Sequence, residues 1–163
     1  LVTADCYQLR RETCAARHGI TSLDPNAPDF HSLLSGYAPD GFDLTYELSG
    51  NPIALNDAIQ LTRFSGRVVI GSWYGEKRTA LDLGGAFHRS RIKLIASQVS
   101  TIAPELSARW DKSRRFAVAW EALKRIQPEK WITHRFPLAQ AAEAYRLLDE
   151  RPQETIQVVI TYS

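Results

Sequence analysis

The chain has 163 residues, of which 44% are hydrophobic and 23% charged, with a formal net charge of +2. This length suits one domain, or one domain with a smaller appendage, and the composition is ordinary for a globular protein. The small net charge and the scattered Lys and Arg residues argue against nucleic acid as a partner. No apolar stretch reaches the roughly 20 residues that cross a bilayer and no signal peptide is visible, so we expect a cytoplasmic location and no membrane contact.

Cysteine and methionine content give two further expectations. Cys6 and Cys14 are separated by seven residues, which is no standard zinc-ligand spacing, and they make no disulfide framework. We expect free thiols in a reducing compartment. The sequence begins at Leu1 and contains no methionine, and we expect it to be a piece of a longer protein.

Hydrophobic spacing and turn residues predict alternating strands and helices. Strands are predicted at residues 1–5, 20–23, 42–48, 68–70, 79–83, 92–99, 131–136 and 156–162. Helices are predicted at residues 7–18, ending at Gly19, and at 29–36, 52–64, 113–126 and 137–151. This alternation predicts right-handed βαβ units and a parallel sheet.

The stretch SGRVVIGSW is the centre of the predicted sheet. Its β-branched run Val68–Ile70 is typical of a strand that is buried on both faces. Gly71 follows, and a residue without a side chain lets a ligand approach the backbone. Ligands bind at the carboxyl ends of strands in open α/β sheets, so we expect a nucleotide-type site at Gly71.

Asp5 ends the first predicted strand, before a predicted helix. A carboxylate in this position can bind both hydroxyls of an adenosine ribose and repel a 2′-phosphate. Arg10, about one helical turn further on, could lie against the same ribose or adenine. The alternative is that Asp5 caps the helix and Arg10 is solvated.

The Gly-rich turn that holds a pyrophosphate is absent from the sequence. The pattern G-x-G-x-x-G should precede such an acid by about twenty residues. Gly84-Gly85 does not replace it, because it has neither the spacing nor a preceding buried strand.

An ordered set of segments resembles the zinc-type medium-chain alcohol dehydrogenase family over nearly the whole chain. The segments are LVTAD, YELSGNP, SGRVVIGSW, IKLIASQVS, WITHRFPLAQAAEAYRLLDE and IQVVITY. SQVSTIAPELSARWDKSRRF looks like the branch related to bacteriochlorophyllide dehydrogenases. The resemblance implies an α/β Rossmann-type, doubly wound parallel sheet that lacks its first strand and Gly-rich turn. It implies a partial dinucleotide-binding domain at residues 1–98 and an α+β segment at 99–163 that returns to the catalytic domain.

The resemblance also implies NAD as cofactor and a set of binding residues. Asp5 and Arg10 match the ribose-binding pair, and Ser49 and Gly50 border the adenosine side. The residues that match the nicotinamide border are Ile70, Gly71, Ser72, Ala96 and Gln98. A basic residue that often contacts the pyrophosphate aligns with Gln157, which carries no charge.

The catalytic zinc ligands of the family lie in its N-terminal half, so neither catalytic nor metal-ligating residues are assigned to this chain. Zinc in the parent enzyme would polarise the oxygen of an alcohol or carbonyl substrate while hydride passes to or from the nicotinamide. We expect these 163 residues to be inactive alone and the full-length protein to be a homo-oligomer. Two alternatives remain: a non-catalytic nucleotide-binding or regulatory module, and a zinc-free, quinone-reductase-like oxidoreductase.

Other polar and aromatic residues admit simpler interpretations. His134 suits a structural role, and His18, His31 and His88 suit the surface. The cluster Arg109, Lys112, Arg114 and Arg115 is typical of a solvated helix start, with an anion contact as the alternative. Trp73-Tyr74 could wall a pocket or pack between domains.

The predicted topology has a consequence for folding. In the strand order 3-2-1-4-5-6, the missing first strand lies between the strand of Asp5 and that of Leu44. Two unpaired edges would then lie inside the sheet. We therefore expect residues 1–163 alone to fold poorly or to dimerise through these edges.

Overall fold

The computed structural model describes residues 1–16 and 20–162. The strands are β1 (Val2–Ala4), β2 (Thr21–Leu23), β3 (Phe42–Glu47), β4 (Thr62–Ile70), β5 (Lys93–Ala96), β6 (Ile132–Pro137) and β7 (Gln157–Thr161). The α-helices are α1 (Gln8–Ala15), α2 (Phe30–Tyr37), α3 (Pro52–Gln60), α4 (Lys112–Ile126) and α5 (Ala141–Glu150). None of these helices has the length and apolar character that a bilayer crossing requires.

Helix α3 begins at Pro52 as predicted but ends at Gln60, four residues early. The residues that follow form the first part of β4, in which Thr62 lies opposite Phe42 of β3. Thr62 is β-branched and Phe64 aromatic, and both residue types fit a pleated surface better than a helix. The apolar spacing of α3 continues past its end at Gln60, so spacing alone predicts too long a helix. The β-branched and aromatic residues after Gln60 indicate a strand instead.

The predicted strand at residues 79–83 is wrong. The Asn56 side chain donates to the carbonyl oxygen of Ala80 at 2.9 Å and accepts from the backbone N–H of Asp82 at 3.1 Å. These backbone groups are therefore paired with one side chain of α3 rather than with a neighbouring strand. A short π-type turn follows at Leu83–Phe87.

The Cα positions divide into two compact units. The terminal unit comprises Leu1–His31 and Asp111–Ser163, and the central unit comprises Ser32–Trp110. The functional division after residue 98 stays a prediction.

All strand pairs in the described residues are parallel, which confirms the α/β class with parallel sheets. In the terminal unit β1 pairs with β2, and β6 with β7; in the central unit the order is β3-β4-β5.

The core of the central unit lies between α3 and one face of its sheet. Leu55, Ala58 and Ile59 of α3 pack with Val68 of β4 and with Ile92. Val68, the first residue of the predicted run, is 0% exposed, which confirms its burial. Burial on both faces is not confirmed along the whole run, because the two residues after Val68 are only half-buried.

Strand β4 contains a bulge near its start. Phe42 pairs with Thr62, but Leu44 pairs with Arg67, so β4 has three more residues than β3 between these pairs. Ser65 takes up the change of direction with a φ of 60°. From Arg67 onward the ladder is regular, and the ends of the two strands are therefore in fixed register.

In the terminal unit, helical spacing predicts an apolar face in each of the last two helices: Phe116, Ala119, Trp120 and Leu123 in α4, and Leu138, Ala142, Tyr145 and Leu148 in the last helix. The last helix buries a different face from the predicted one. Ala144 and Leu147 of α5 are buried, whereas Tyr145 is 73% and Leu148 43% exposed. The predicted apolar face of α4, which includes Trp120, has no buried residue. The predicted end of α1 at His18 and Gly19 lies outside the described residues.

Candidate functional site

The carboxyl ends of three parallel strands meet at one edge of the central unit. Ile70 of β4 pairs with Glu47 of β3 on one side and with Ala96 of β5 on the other. The backbone N–H of Gly71 donates to the carbonyl oxygen of Glu47 at 2.9 Å, and that of Ser97 donates to the carbonyl oxygen of Ile70 at 2.8 Å. The chain places Ile70, Gly71 and Ala96 together, as the strand pattern predicts.

The turn after β3 lies beside the segment that leaves β4. Gly50 has a φ of 67°, a conformation that glycine adopts without strain. A Cβ at Gly50 would lie 3.4 Å from the carbonyl oxygen of Trp73 and 3.7 Å from the Cβ of Ser72. Ser49, Gly50 and Ser72 therefore border one small region of the edge.

A buried carboxylate joins these two segments. Glu47 is 3% exposed. Its Oε1 accepts from the N–H of Ser49 at 2.7 Å, the hydroxyl of Ser49 at 2.6 Å and the N–H of Gly50 at 3.0 Å. Its Oε2 accepts from the hydroxyl of Ser72 and from the hydroxyl of Tyr74, the latter at 2.8 Å. Each carboxylate oxygen thus serves a different segment.

The hydrogen bonds keep this carboxylate ionised. Burial alone raises the pKa of Glu47, but bonds from Ser49, Ser72 and Tyr74 outweigh it, so the pKa lies below the usual 4.5. Burial, the hydrogen bond to Glu47 and its charge together raise the pKa of Tyr74 from 10.0 to about 12. At neutral pH the pair is a carboxylate that accepts from a protonated phenol.

The segment after β4 is anchored at several points. The Tyr74 ring packs against the central core, and the Lys77 ammonium donates to the carbonyl oxygen of Gly50 at 3.1 Å. Trp73, between two fixed residues, is 91% exposed. Trp73 and Tyr74 therefore have different environments. Tyr74 packs on the core and donates a hydrogen bond, whereas Trp73 extends into solvent.

Gly71 leaves its strand end open on one side. The residue is exposed, and a Cβ there would meet only the Cδ2 of Leu48, at 2.7 Å, and the carbonyl oxygen of Glu47, at 3.9 Å. Leu48 is itself 70% exposed. A flat group of a ligand can approach the backbone here, as the predicted role of Gly71 requires.

Asp5 and Arg10 lie in the terminal unit, at the carboxyl end of β1. Asp5 Oδ1 accepts from the backbone N–H of Tyr7 at 2.8 Å. Tyr7 is the N-cap residue of α1 and no side chain caps this helix, so Asp5 makes a local turn contact and is not the helix cap. Arg10 Nη1 lies 3.8 Å from Asp5 Oδ2, and its guanidinium carbon lies 4.7 Å from the centre of the Tyr7 ring. Arg10 also donates to the carbonyl oxygens of Thr155 at 3.1 Å and Pro152 at 3.2 Å, so it is not simply solvated.

The structure brings seven of the nine predicted binding residues to the edge of the central sheet or to the residues that directly follow its strands: Ser49, Gly50, Ile70, Gly71, Ser72, Ala96 and Gln98. The Gln98 side chain accepts from the backbone N–H of Ser100. Asp5 and Arg10 form a separate pair in the terminal unit, and the Gln157 amide there donates to the carbonyl oxygen of Val158 at 3.3 Å. The binding roles of all these residues remain predictions.

Sequence reasoning missed Glu47 and Lys77 as parts of this edge. The available signal was a charged residue where strand alternation places an inward side chain, followed directly by the turn residues Ser49 and Gly50. Lys77 gave no such signal, because its contact with Gly50 arises from the path of the segment after β4.

Residues 1–16 and 20–162 contain no group of three His, Cys, Asp or Glu side chains that could hold a metal ion. His134 stacks on Phe136 with ring centres 6.3 Å apart, and its buried Nδ1 has no hydrogen-bond partner in this part of the chain. These described residues therefore do not fit a zinc site.

Comparison with known proteins finds a curated dehydrogenase that is similar to this chain. No protein-family model matches the chain. It is 31% identical over 166 aligned positions to L-galactonate-5-dehydrogenase of Escherichia coli K12, and the alignment covers 99% of this chain and 45% of that protein. This similarity supports the resemblance of the chain to the zinc-type medium-chain alcohol dehydrogenase family. It spans less than half the length of this relative.

Solved structures of dehydrogenases show the same fold as this chain. A protein of Escherichia coli CFT073 described as a short chain alcohol dehydrogenase, crystallised with NADH, matches with a TM-score of 0.77 at 16% identity, over 99% of this chain and 44% of its own. An alcohol dehydrogenase zinc-binding domain protein from Burkholderia ambifaria matches with a TM-score of 0.74 at 13% identity, over 99% and 41%.

Proposed function

We propose that this chain supplies the cofactor-binding part of an NAD-dependent oxidoreductase that transfers hydride between the nicotinamide and an alcohol or carbonyl carbon. The observation that supports it most directly is the meeting of strand ends around Gly71, in a chain related to L-galactonate-5-dehydrogenase. Backbone beside a bare glycine accepts the flat nicotinamide, as ligand sites at such edges do.

The choice of NAD over NADP rests on Asp5. Its carboxylate is partly exposed and has one oxygen bonded to the N–H of Tyr7. The second oxygen, 3.8 Å from Arg10, has room for a ribose hydroxyl. A 2′-phosphate placed here would be repelled by the carboxylate.

The proposed substrate is a small alcohol or carbonyl compound, and polyols or sugar acids are the first to examine because the relative acts, by its name, on L-galactonate. Zinc in the parent enzyme would polarise the substrate oxygen. No zinc-ligand cluster lies in residues 1–16 and 20–162, so we expect these 163 residues alone to turn over no substrate. A homo-oligomeric parent in the cytoplasm completes the proposal.

Asp5→Ser in the intact protein tests the cofactor assignment. Serine can still accept from the Tyr7 N–H, so the local turn is retained while the charge is lost. We expect affinity for NAD to fall about tenfold and affinity for NADP to stay level or rise, by calorimetric titration. Asp43→Ser is the control, because Asp43 is an exposed carboxylate paired with Arg63 at 2.9 Å. Equal loss for both cofactors would contradict the ribose role.

Turnover separates the enzyme from a binding module. The intact protein should reduce NAD in the presence of at least one member of a polyol and sugar-acid panel, followed by the absorbance of NADH. NAD binding without turnover of any alcohol, polyol or quinone would favour the regulatory module instead.

A further inference from the structure

We infer that Glu47 is a positioning residue for the cofactor site, because its carboxylate holds the turn Ser49–Gly50 and the segment Ser72–Tyr74 at a fixed separation. This inference rests on the proposed function and adds to it a residue that does not itself touch the cofactor. Its backbone carbonyl oxygen also accepts from the N–H of Gly71 at 2.9 Å. One residue therefore fixes the turn, the segment and the bare glycine.

The division of hydrogen bonds between the two oxygens carries the argument. Oε1 receives three donors, all from the turn, and Oε2 receives two hydroxyls, both from the segment after β4. A carboxylate offers about four lone-pair sites, so these five donors leave no acceptor capacity for a substrate proton. Glu47 is thus suited to positioning and not to acid–base chemistry.

Burial strengthens the same conclusion. A carboxylate that is 3% exposed is costly to bury unless it is fully hydrogen-bonded. An apolar residue at position 47 would keep the backbone pairing of β3 with β4. It would leave the N–H of Gly50 and the hydroxyl of Tyr74 without this acceptor. The charge is therefore explained by the two segments that it joins.

Two substitutions distinguish the effect of the side-chain length of Glu47, which lets it bond to both segments, from the effect of its charge. Glu47→Gln keeps the length: its oxygen can accept from Ser49 and Gly50 while its NH2 faces the hydroxyls of Ser72 and Tyr74, which can rotate to accept. Glu47→Asp keeps the charge but is about 1.5 Å shorter, the length of one carbon–carbon bond. Aspartate cannot reach both segments at once without moving one of them.

The experiment measures NADH binding to the intact protein by energy transfer from tryptophan to the nicotinamide, with the melting temperature in parallel. We expect Glu47→Asp to weaken binding about tenfold and Glu47→Gln to restore most of that loss, because geometry rather than charge is what the site needs. Glu76→Asp and Glu76→Gln, at an exposed acid two residues after Tyr74, are the matched controls.

A spectroscopic readout shows whether the bridge itself has changed. In Glu47→Gln the phenol of Tyr74 loses its charged partner, so its ionisation, followed by ultraviolet absorbance, should begin at lower pH than in the unmodified protein. Tyr74→Phe, which removes one of the two hydroxyl bonds to Oε2 but keeps the ring, should also weaken NADH binding severalfold and covers the case in which Glu47→Asp does not fold.

The outcomes distinguish this inference from the proposed function. An unmodified protein that binds no nicotinamide nucleotide overturns both. An unmodified protein that binds NADH, with Glu47→Asp or, where that variant does not fold, Tyr74→Phe binding equally well, leaves the proposed function and overturns the role of Glu47. Weaker NADH binding by Glu47→Gln than by Glu47→Asp also overturns this role, because the charge of the side chain would then matter more than its length.

Discussion

Arg10 donates from Nε to the carbonyl oxygen of Thr155 at 3.1 Å, across 145 positions of sequence. Thr155 is 1% exposed, so the acceptor is fixed. The same guanidinium reaches the carbonyl oxygen of Pro152 at 3.2 Å and lies 3.8 Å from Asp5. The residue expected to assist a ribose thus also joins the first helix to the last part of the chain.

Arg10→Lys should destabilise the protein. A lysine cannot donate to the carbonyl oxygens of Thr155 and Pro152 in the forked geometry of a guanidinium. We expect the free energy of unfolding to fall by about 1–2 kcal/mol in urea titrations, the cost of hydrogen bonds from a charged donor. Arg89→Lys, at an exposed position, is the control. Unchanged stability with weaker NAD binding would instead assign Arg10 to the cofactor alone.

Gly66→Ala should destabilise the protein much more than Gly71→Ala, although both glycines lie in or beside β4. A Cβ at Gly66 would lie 2.9 Å from the carbonyl oxygen of Arg63 and 3.1 Å from that of Phe42, which are backbone atoms. At Gly71 it would meet the flexible end of Leu48 at 2.7 Å.

We therefore expect Gly66→Ala to cost about 2–3 kcal/mol of stability and Gly71→Ala less than about 1 kcal/mol. Gly71→Ala should nevertheless weaken NAD binding, since the new methyl group occupies the open approach to the strand end. Thermal unfolding and calorimetric titration measure the two effects. A stable Gly71→Ala with unchanged affinity would place the nicotinamide elsewhere.

Tyr74 should make the protein less stable at alkaline pH. Its folded-state pKa, about 12, is raised above the ordinary 10.0. The stability that the protonated phenol contributes is therefore complete below pH 10 and is lost as the pH rises through the folded pKa. The free energy of unfolding of Tyr74→Phe should depend less on pH over that interval. Tyr46→Phe, at an exposed tyrosine, should keep the slope of the unmodified protein, and an identical slope in Tyr74→Phe would contradict the prediction.

Gln157→Arg should strengthen NAD binding. The resemblance places a basic residue at this position against the pyrophosphate, and Gln157 has an exposed side chain that donates only to a neighbouring carbonyl. We expect an improvement of about fivefold that shrinks at high salt, as for a charged contact. Gln153→Arg adds the same charge at another exposed position and should have little effect. Equal gains from both would indicate a general effect of charge.

The end of the central strand was predictable because a β-branched run followed by glycine, Val68–Ile70 and Gly71, is typical of a buried strand and its end. The same logic failed near Thr62 and Phe64, where apolar residues continued the spacing of α3 into a strand; only pairing with Phe42 decides between the two. The apolar face of α5 was misplaced because helical spacing finds a stripe but does not say which neighbour it meets. Glu47 was missed as a link, since its partner Tyr74 lies 27 positions away.

The bulge at residues 63–65 separates the two ends of β4. These residues are exposed, and the ladder restarts at Arg67 with its own regular pairing to Leu44. Residues inserted there would lengthen an exposed bulge and leave the pairing at the carboxyl end of β4 unchanged. The bulge is therefore the place to graft an epitope or a fluorescent label for reporting on nucleotide binding at Gly71.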